Sequence, residues 1–598
     1  MSNFRFFFEK AKSKLIFISV SILALNAFYV ISTLGVGHPA PDEIEIISSI
    51  KLFLEGGSWW EDEWFLQHFE HRIIIPNLIF FFSALLDQGN TIHIMYLGWF
   101  FVVISIIPLY SLLKKINQNY TWLIIPITAL MFNLGQTTCF TWGICSIVWH
   151  LTSLLIISTI FFIDRIDKTR ISLIFAIVCA IAVSFTMFQG LLIWIVGIFG
   201  LLFVNTKKKA NLVIWIVSGI ITISLFFTNY DFHVIDEMQT NSDGLQLTNL
   251  FTSEGISYIL LFLSNGLLVQ IPQTLYFQYF IGIGLIFTII FTPIYLRLKK
   301  FEIRPLIPWF QFGLYSLFGA LVLVIGRSEV VSANASRYIA WSVFGHIAAL
   351  VLGMILLLYL YKKLKNRYKK FSFKILLSIL FLLLILGVST SSYSGLKIAN
   401  DLYQKNLLTF DCLRDPNFDL KCHSAYYYED AYNNIRDLRD LKLGVFATQF
   451  IPPNDPLMDN SNWKNMELNP NGFGKIEYIN SKFNTDRFQE LQTQTFVDVN
   501  SSPIDIGGWG IFAEKNKDVD SAYVFVNNQV HSSAYYGYQS PHNVEILGEQ
   551  TDPSFYSGFG GVIILENLSS GCHDVSIRIT YENEYFEIFS NSQICINS

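Results

Sequence analysis

Apolar and polar positions divide this chain near residue 393. Before it, long runs of Leu, Ile, Val and Phe recur between short polar stretches; after it, they stop. The runs cover 15–36, 91–113, 121–136, 144–163, 171–187, 188–205, 211–228, 276–296, 305–326, 338–361 and 373–393. Most approach the roughly 20 apolar residues a helix needs to cross a bilayer, so the pattern predicts about eleven crossings. Two further apolar stretches, 73–86 and 256–272, are not counted. As a helix, 73–86 reaches only about 21 Å against a hydrocarbon core of about 30 Å. It also carries Pro76 and Asn77, so it is expected to lie in the membrane interface.

Beyond 393 the pattern changes twice. Residues 396–490 read as helical pieces followed by an irregular, Asn- and Pro-rich connector. From about 493, short alternating segments such as TFVDV, SAYVFVNNQV and CHDVSIRITY are separated by Asn and Gly. These are strand and turn signals, and they predict a β-sandwich over 491–598. The fold class is thus a polytopic α-helical membrane protein, residues 1–395, with a C-terminal β-sandwich domain outside the membrane.

Composition agrees. The chain has 598 residues, 52% hydrophobic and only 15% charged, against about 25% charged in soluble domains. The part after 393 is acidic by roughly two to one, which argues against a nucleic-acid partner. The opening apolar run is too long for a signal-peptide core and reads as an uncleaved first span.

Orientation follows from Lys and Arg. The clusters are KAKSK at 10–14, Lys114–Lys115, DRIDKTR at 164–170, KKK at 207–209, LRLKKFEIR at 296–304 and KKLKNRYKK at 362–370. If 73–86 and 256–272 do not cross, all six fall on the cytoplasmic side. The N-terminus is then cytoplasmic. The stretches 37–90, 137–143, 229–275 and 327–337, and everything after about 394, face outward.

The first outer loop, 37–90, is the longest between spans. Pro41, Asp42 and Glu43 suit a helix start and Gly56–Gly57 a stop. Ile46, Ile47, Ile50, Phe53 and Leu54 share one face, which predicts an amphipathic helix lying on the membrane. Next comes WWEDEWFLQHFEHR, Trp59 to Arg72, with its Trp residues suited to headgroup depth. A second outer motif is GRSEVVSANASRY, Gly326 to Tyr338, where Arg327 and Arg337 flank a polar loop. Two guanidinium groups there suit bidentate phosphate binding. The spans themselves hold no Asp, Glu, Lys or Arg deep in the core, which weighs against an ion-coupled transporter.

Two interfacial helices bearing carboxylates directly after span one resemble the GT-C membrane glycosyltransferases. The EHR of Glu70–His71–Arg72 before Pro76, and the SRY ending at Tyr338, resemble motifs of a bacterial, O-antigen-modifying branch. The resemblance implies a polyprenyl-phosphate-linked sugar as donor, a surface glycan or lipid-linked acceptor, and a site on the periplasmic face of the bacterial inner membrane. It implies that an early acid, Asp42 or Glu43, acts as base or binds a divalent metal, with Glu70 next in line. No cofactor is certain. The charges on one side at headgroup depth lead to the expectation that His71, Arg72, Arg327, Arg337 and Tyr338 contact substrate. The chemistry is consistent: a sugar hydroxyl needs a carboxylate to take its proton, and a departing lipid phosphate needs cations. Arg337, with Arg327 or Arg72, is expected to share one pocket with Asp42 or Glu43.

Structural roles compete at each position. Asp42 and Glu43 also suit a helix dipole, Glu70–Arg72 a salt-bridged anchor, and the two arginines snorkelling to headgroups. Two other function classes remain in view: an O-antigen polymerase or ligase, and a non-enzymatic glycan exporter or flippase. Four of the seven cysteines fall after 393, and sequence order favours disulfides Cys412–Cys422 and Cys572–Cys595 in an oxidising compartment.

Overall fold

The computed structural model describes residues 2–37, 43, 67, 70–169, 171–204, 206–230, 247–267, 275–327, 332–364, 367–413, 459–470, 472–480, 494–498, 504–512, 521–538, 558–563, 565, 568–581 and 583–597. The chain divides into two compact units, residues 1–35 with 49–399, and residues 36–48 with 400–598.

The helices are α1 (Ser2–Leu34), α2 (Ile74–Asp87), α3 (Ile92–Ile116), α4 (Ile124–Met131), α5 (Thr137–Thr141), α6 (Gly143–Asp164), α7 (Ile171–Ser184), α8 (Leu192–Leu201), α9 (Lys208–Phe226), α10 (Ser253–Ser264), α11 (Leu275–Leu298), α12 (Ile307–Arg327), α13 (Ile339–Lys363) and α14 (Arg367–Leu413). Nine helical stretches among the described residues are long and apolar enough to cross a bilayer, which makes this a multi-pass membrane protein. The other two expected crossings are shorter helices, Ile171–Ser184 and Phe188–Leu201. α7 has 14 residues, a length of about 21 Å.

Side-chain pairs give the helices their directions. Trp99 Nε1–H donates to the Ala24 carbonyl at 2.8 Å, and Phe28 stacks on Tyr96 at 4.7 Å. Ascending residues of α1 thus meet descending residues of α3, and the two are antiparallel. The chain between them leaves and returns at one end of the bundle, so α2 does not cross. At the opposite end Lys115 Nζ lies 2.5 Å from Asp164 Oδ1, and Arg165 donates to Ser111. Asp167 there pairs with Arg304 and accepts from the Thr206 N–H and hydroxyl. Phe301 and Lys363 both pack on Tyr359, and Lys370 lies over Tyr361. Five of the six basic clusters therefore gather at one end. α7 leaves from beside Asp167, and the chain is back there at Thr206, so this short pair also runs between the ends.

α10 differs. Ser257 bonds Tyr279, and Leu260 lies where a Cβ on Gly282 would fall, so α10 runs in the same direction as α11. It enters the bundle from the end opposite the basic clusters and stops at Asn265 without crossing. Some buried hydroxyls of the crossing helices bond the preceding turn, as Ser105 does to Phe101 and Thr128 to Ile124. Close helix approach uses small residues: a Cβ on Gly98 would overlap the Ser146 side chain, and both lie where α3 meets α6. The last helix, α14, is 47 residues long. It continues through residue 395, where the sequence pattern placed the domain boundary, because nothing in SSYSGLKIANDLYQK breaks a helix.

In the second unit, strands β1 (Glu467–Leu468), β2 (Gly472–Asn480), β3 (Gln494–Asp498), β4 (Ile504–Phe512), β5 (Ser521–Val526), β6 (Gln529–Tyr538), β7 (Gly558–Ile563), β8 (Gly571–Tyr581) and β9 (Glu584–Asn597) form one sheet. Its order is β1-β9-β8-β5-β6-β7-β4-β2, with β3 parallel to β9. β1 and β2 precede the expected start at 491; the glycines of GFGKIEYIN resemble a turn by composition, yet they pair in register with β4. A Cβ on Gly510 of β4 would meet Ile579, Phe586 and Ile588 of β8 and β9. The sheet therefore curls over a core that includes Ile506, Val524, Ile577 and Ile579. Cys572 and Cys595 face each other across β8 and β9 and form the expected disulfide. Arg578 is held beneath Trp463, Phe525 and Tyr585 and pairs with Glu587 at 3.1 Å. The Cys412 side chain and Cys422 lie outside the described residues.

Candidate functional site

Two polar clusters sit at the end of the helical unit away from the basic residues. The first contains Glu70, His71 and Arg72. Arg72 is buried, and its Nη2 donates to the Thr228 carbonyl at 2.5 Å, just past the end of α9. Tyr230 Oη–H donates to the Glu70 carbonyl at 3.1 Å. The Phe188 N–H donates to His71 Nδ1 at 3.3 Å. That makes Nδ1 an acceptor, so a neutral ring carries its proton on Nε2, which faces Glu70 Oε1 at 3.3 Å. The Ile75 N–H donates to Phe185. The EHR sequence is thus a clasp that ties the start of α2 to the corner between α7 and α8 and to the end of α9. Burial lowers the Arg72 pKa, which the nearby Tyr230 opposes. Burial raises the Tyr230 pKa, and Glu70 raises it further, so the phenol stays a neutral donor.

The second cluster surrounds Arg337. It begins with a break in the third span, Gln118–Thr141, between α4 and α5. Asn133 fills the break. Its Nδ2 donates to the Gly266 carbonyl at 2.7 Å and to Ser391 at 3.0 Å. Its Oδ1 accepts from the Gly135 N–H and from Ser392 Oγ, at 2.9 and 3.1 Å. Gly395 of α14 must be a glycine here, because a Cβ would fall 1.9 Å from the Leu134 carbonyl oxygen. Asn265, at the tip of α10, donates to the Ala335 carbonyl at 3.0 Å, and Ser336 donates to Gly135 at 2.6 Å. Non-helical backbone survives within a membrane protein only when its polar groups are matched, and these asparagine and serine side chains match them.

This hub fixes the main chain on both sides of Arg337 and leaves its side chain uncommitted. The guanidinium lies over the Tyr338 ring, 5.6 Å from its centre. It makes no ion pair or hydrogen bond among the described residues. Tyr338 is buried between Trp149 and Phe262, with ring centres at 5.9 and 6.1 Å. Its hydroxyl lacks a hydrogen-bond partner among the described residues, as do the indole N–H groups of Trp142 and Trp341. A buried polar atom left unmatched costs about 1–3 kcal/mol. The Tyr338 hydroxyl, with the guanidinium over its ring, offers donors suited to an anionic, oxygen-rich ligand.

Among the described residues, no hydrogen bond or ion pair of the Arg337 side chain joins the two clusters. Glu43 is fully buried and belongs to the second unit. Asp42 and the Arg327 side chain lie outside the described residues. No three His, Cys, Asp or Glu side chains are placed to hold a metal among the described residues. Asn133, Asn265, Ser391 and Ser392 were missed in the sequence. The signals were present as FNLGQ and SSYSG, polar and glycine-containing stretches beside apolar runs. No protein-family model and no curated protein matches this chain.

Proposed function

We propose that this protein is a membrane glycosyltransferase that moves a sugar from a polyprenyl-phosphate donor onto a surface glycan, O-antigen or a similar polymer. The observation that carries the reading is the Arg337 guanidinium over the Tyr338 ring, guanidinium and hydroxyl both without a hydrogen-bond partner among the described residues, on backbone fixed by the Asn133 hub. Arg337 would hold the lipid-linked phosphate through its planar fork as negative charge develops on the leaving group. The basic end faces the cytoplasm under the positive-inside bias. The hub and the C-terminal unit are then periplasmic in a bacterial inner membrane, with the curled sheet forming the expected β-sandwich. Glu70, in the same unit as Arg337, is the candidate base that the helical unit supplies.

Transfer from a labelled polyprenyl-phosphate sugar by purified protein in bilayers tests this. Loss of transfer in Arg337→Ala, with Arg337→Lys also impaired, supports it; full activity in both overturns the phosphate role. A second reading is favoured by one observation, the broken third span meeting the re-entrant α10. Discontinuous helices also build the sites of transporters. Under that reading the protein exports a lipid-linked glycan, and labelled glycan appears across the bilayer with its donor linkage intact. The polymerase or ligase alternative predicts transfer of whole glycan chains instead of single sugars.

A further inference from the structure

We propose that Cys139 and Cys145 form a second disulfide, which closes the corner between the broken third span and α6 behind Arg337. The two sulfur atoms are 3.1 Å apart. That is inside ordinary non-bonded contact, which is about 3.5–4.0 Å even for carbon atoms. Both side chains are buried. The approach follows from local geometry. α5 ends at Thr141, Trp142 is extended (φ −127°, ψ 119°), and α6 starts at Gly143. This single extended residue folds the head of α6 back, so that Cys145 faces Cys139.

The corner belongs to the end of the bundle opposite the basic clusters. The inference rests on the outward placement of that end, given above, and not on glycosyl transfer. Oxidation breaks two S–H bonds and forms one S–S bond. Two protons and two electrons pass, by thiol–disulfide exchange, to a protein disulfide of the outer compartment, which becomes a dithiol. Exchange occurs as the segment folds, before α5 and α6 close over the sulfur atoms. The link would lie against the Arg337 main chain: Cys139 Sγ is 3.9 Å from the Arg337 carbonyl oxygen, to which it donates as a thiol and against which it only packs once oxidised. Cys139, Cys145 and Cys179 are all unlinked in the structure, and Cys179 on α7 serves as an internal control.

The test uses the full-length protein, extracted from its membrane in the presence of N-ethylmaleimide and denatured in the same reagent. It is then reduced, labelled with a heavier maleimide and mapped by mass spectrometry. The expected result is light label on Cys179 and heavy label on Cys139 and Cys145, with a linked 139–145 peptide before reduction. In Cys145→Ser, Cys139 should carry the light label. Light label on both Cys139 and Cys145 in the unsubstituted protein overturns the proposal. If Cys572 and Cys595 carry heavy label in that same sample, the outward placement stands and only this bond is wrong. If those two also carry light label, the outward placement falls with it.

Discussion

Arg72 and Arg337 look alike in the sequence, each an arginine beside a motif at the same end of the bundle. The structure separates them. Arg72 is buried and spends its guanidinium on the Thr228 carbonyl, with Tyr230 and Phe188 closing the clasp around its neighbours. Arg337 is half-exposed, and its guanidinium lies over an aromatic face without an ion pair or hydrogen bond among the described residues. A desolvated guanidinium satisfied by backbone holds a fold together. One that is positioned by its neighbours and left unsatisfied is available to a ligand. The clasp and the hub thus divide anchoring from binding, and each prediction below tests that division.

The largest effect is expected at Arg337. Arg337→Ala should reduce transfer by about 10²–10³-fold, the size found for removal of one preorganised charge-stabilising donor, with thermal stability little changed. Arg337→Lys should fall between. If Arg337→Ala instead lowers the melting temperature and keeps full specific activity, the division is reversed. Next is Asn133→Ala, which removes four hydrogen bonds and leaves the Gly135 N–H and Gly266 carbonyl unmatched. At about 1–3 kcal/mol for each unmatched buried group, it should lower both the melting temperature and transfer. Loss of transfer without loss of stability would place Asn133 in the binding machinery itself.

Arg72→Ala should cost about 1–3 kcal/mol of stability by leaving the Thr228 carbonyl unmatched, with the donor KM unchanged. A raised KM at unchanged stability would make Arg72 a phosphate ligand after all. The smallest effect belongs to Tyr230→Phe, worth about 0.5–1.5 kcal/mol for one hydrogen bond. Its pH dependence has a definite sign. The Tyr230 pKa is raised on folding, so its contribution is whole below the unfolded value near 10 and is lost as pH rises above it. Unsubstituted protein should therefore lose stability in alkali more steeply than Tyr230→Phe, as read by thermal melts at pH 9 and 11.

Repeating patterns in the sequence determined much of this molecule. Apolar run length marked the helices long enough to cross a bilayer and set Ile74–Asp87 apart as a shorter one. The spacing of Lys and Arg foretold that Lys115, Arg165 and Arg304 meet at one end. Alternation foretold the strands, and sequence order foretold the Cys572–Cys595 pair. These features are legible because they depend on one segment at a time and on its solvent. What tertiary structure decided is where segments distant in sequence meet. Asn133 reaches Gly266 and Ser391, and Arg72 reaches Thr228. An asparagine or arginine reads the same in a loop, a clasp or a binding site. Its role is set by whether a carbonyl from a remote segment has already claimed its donors, and only the packed chain brings that carbonyl within reach.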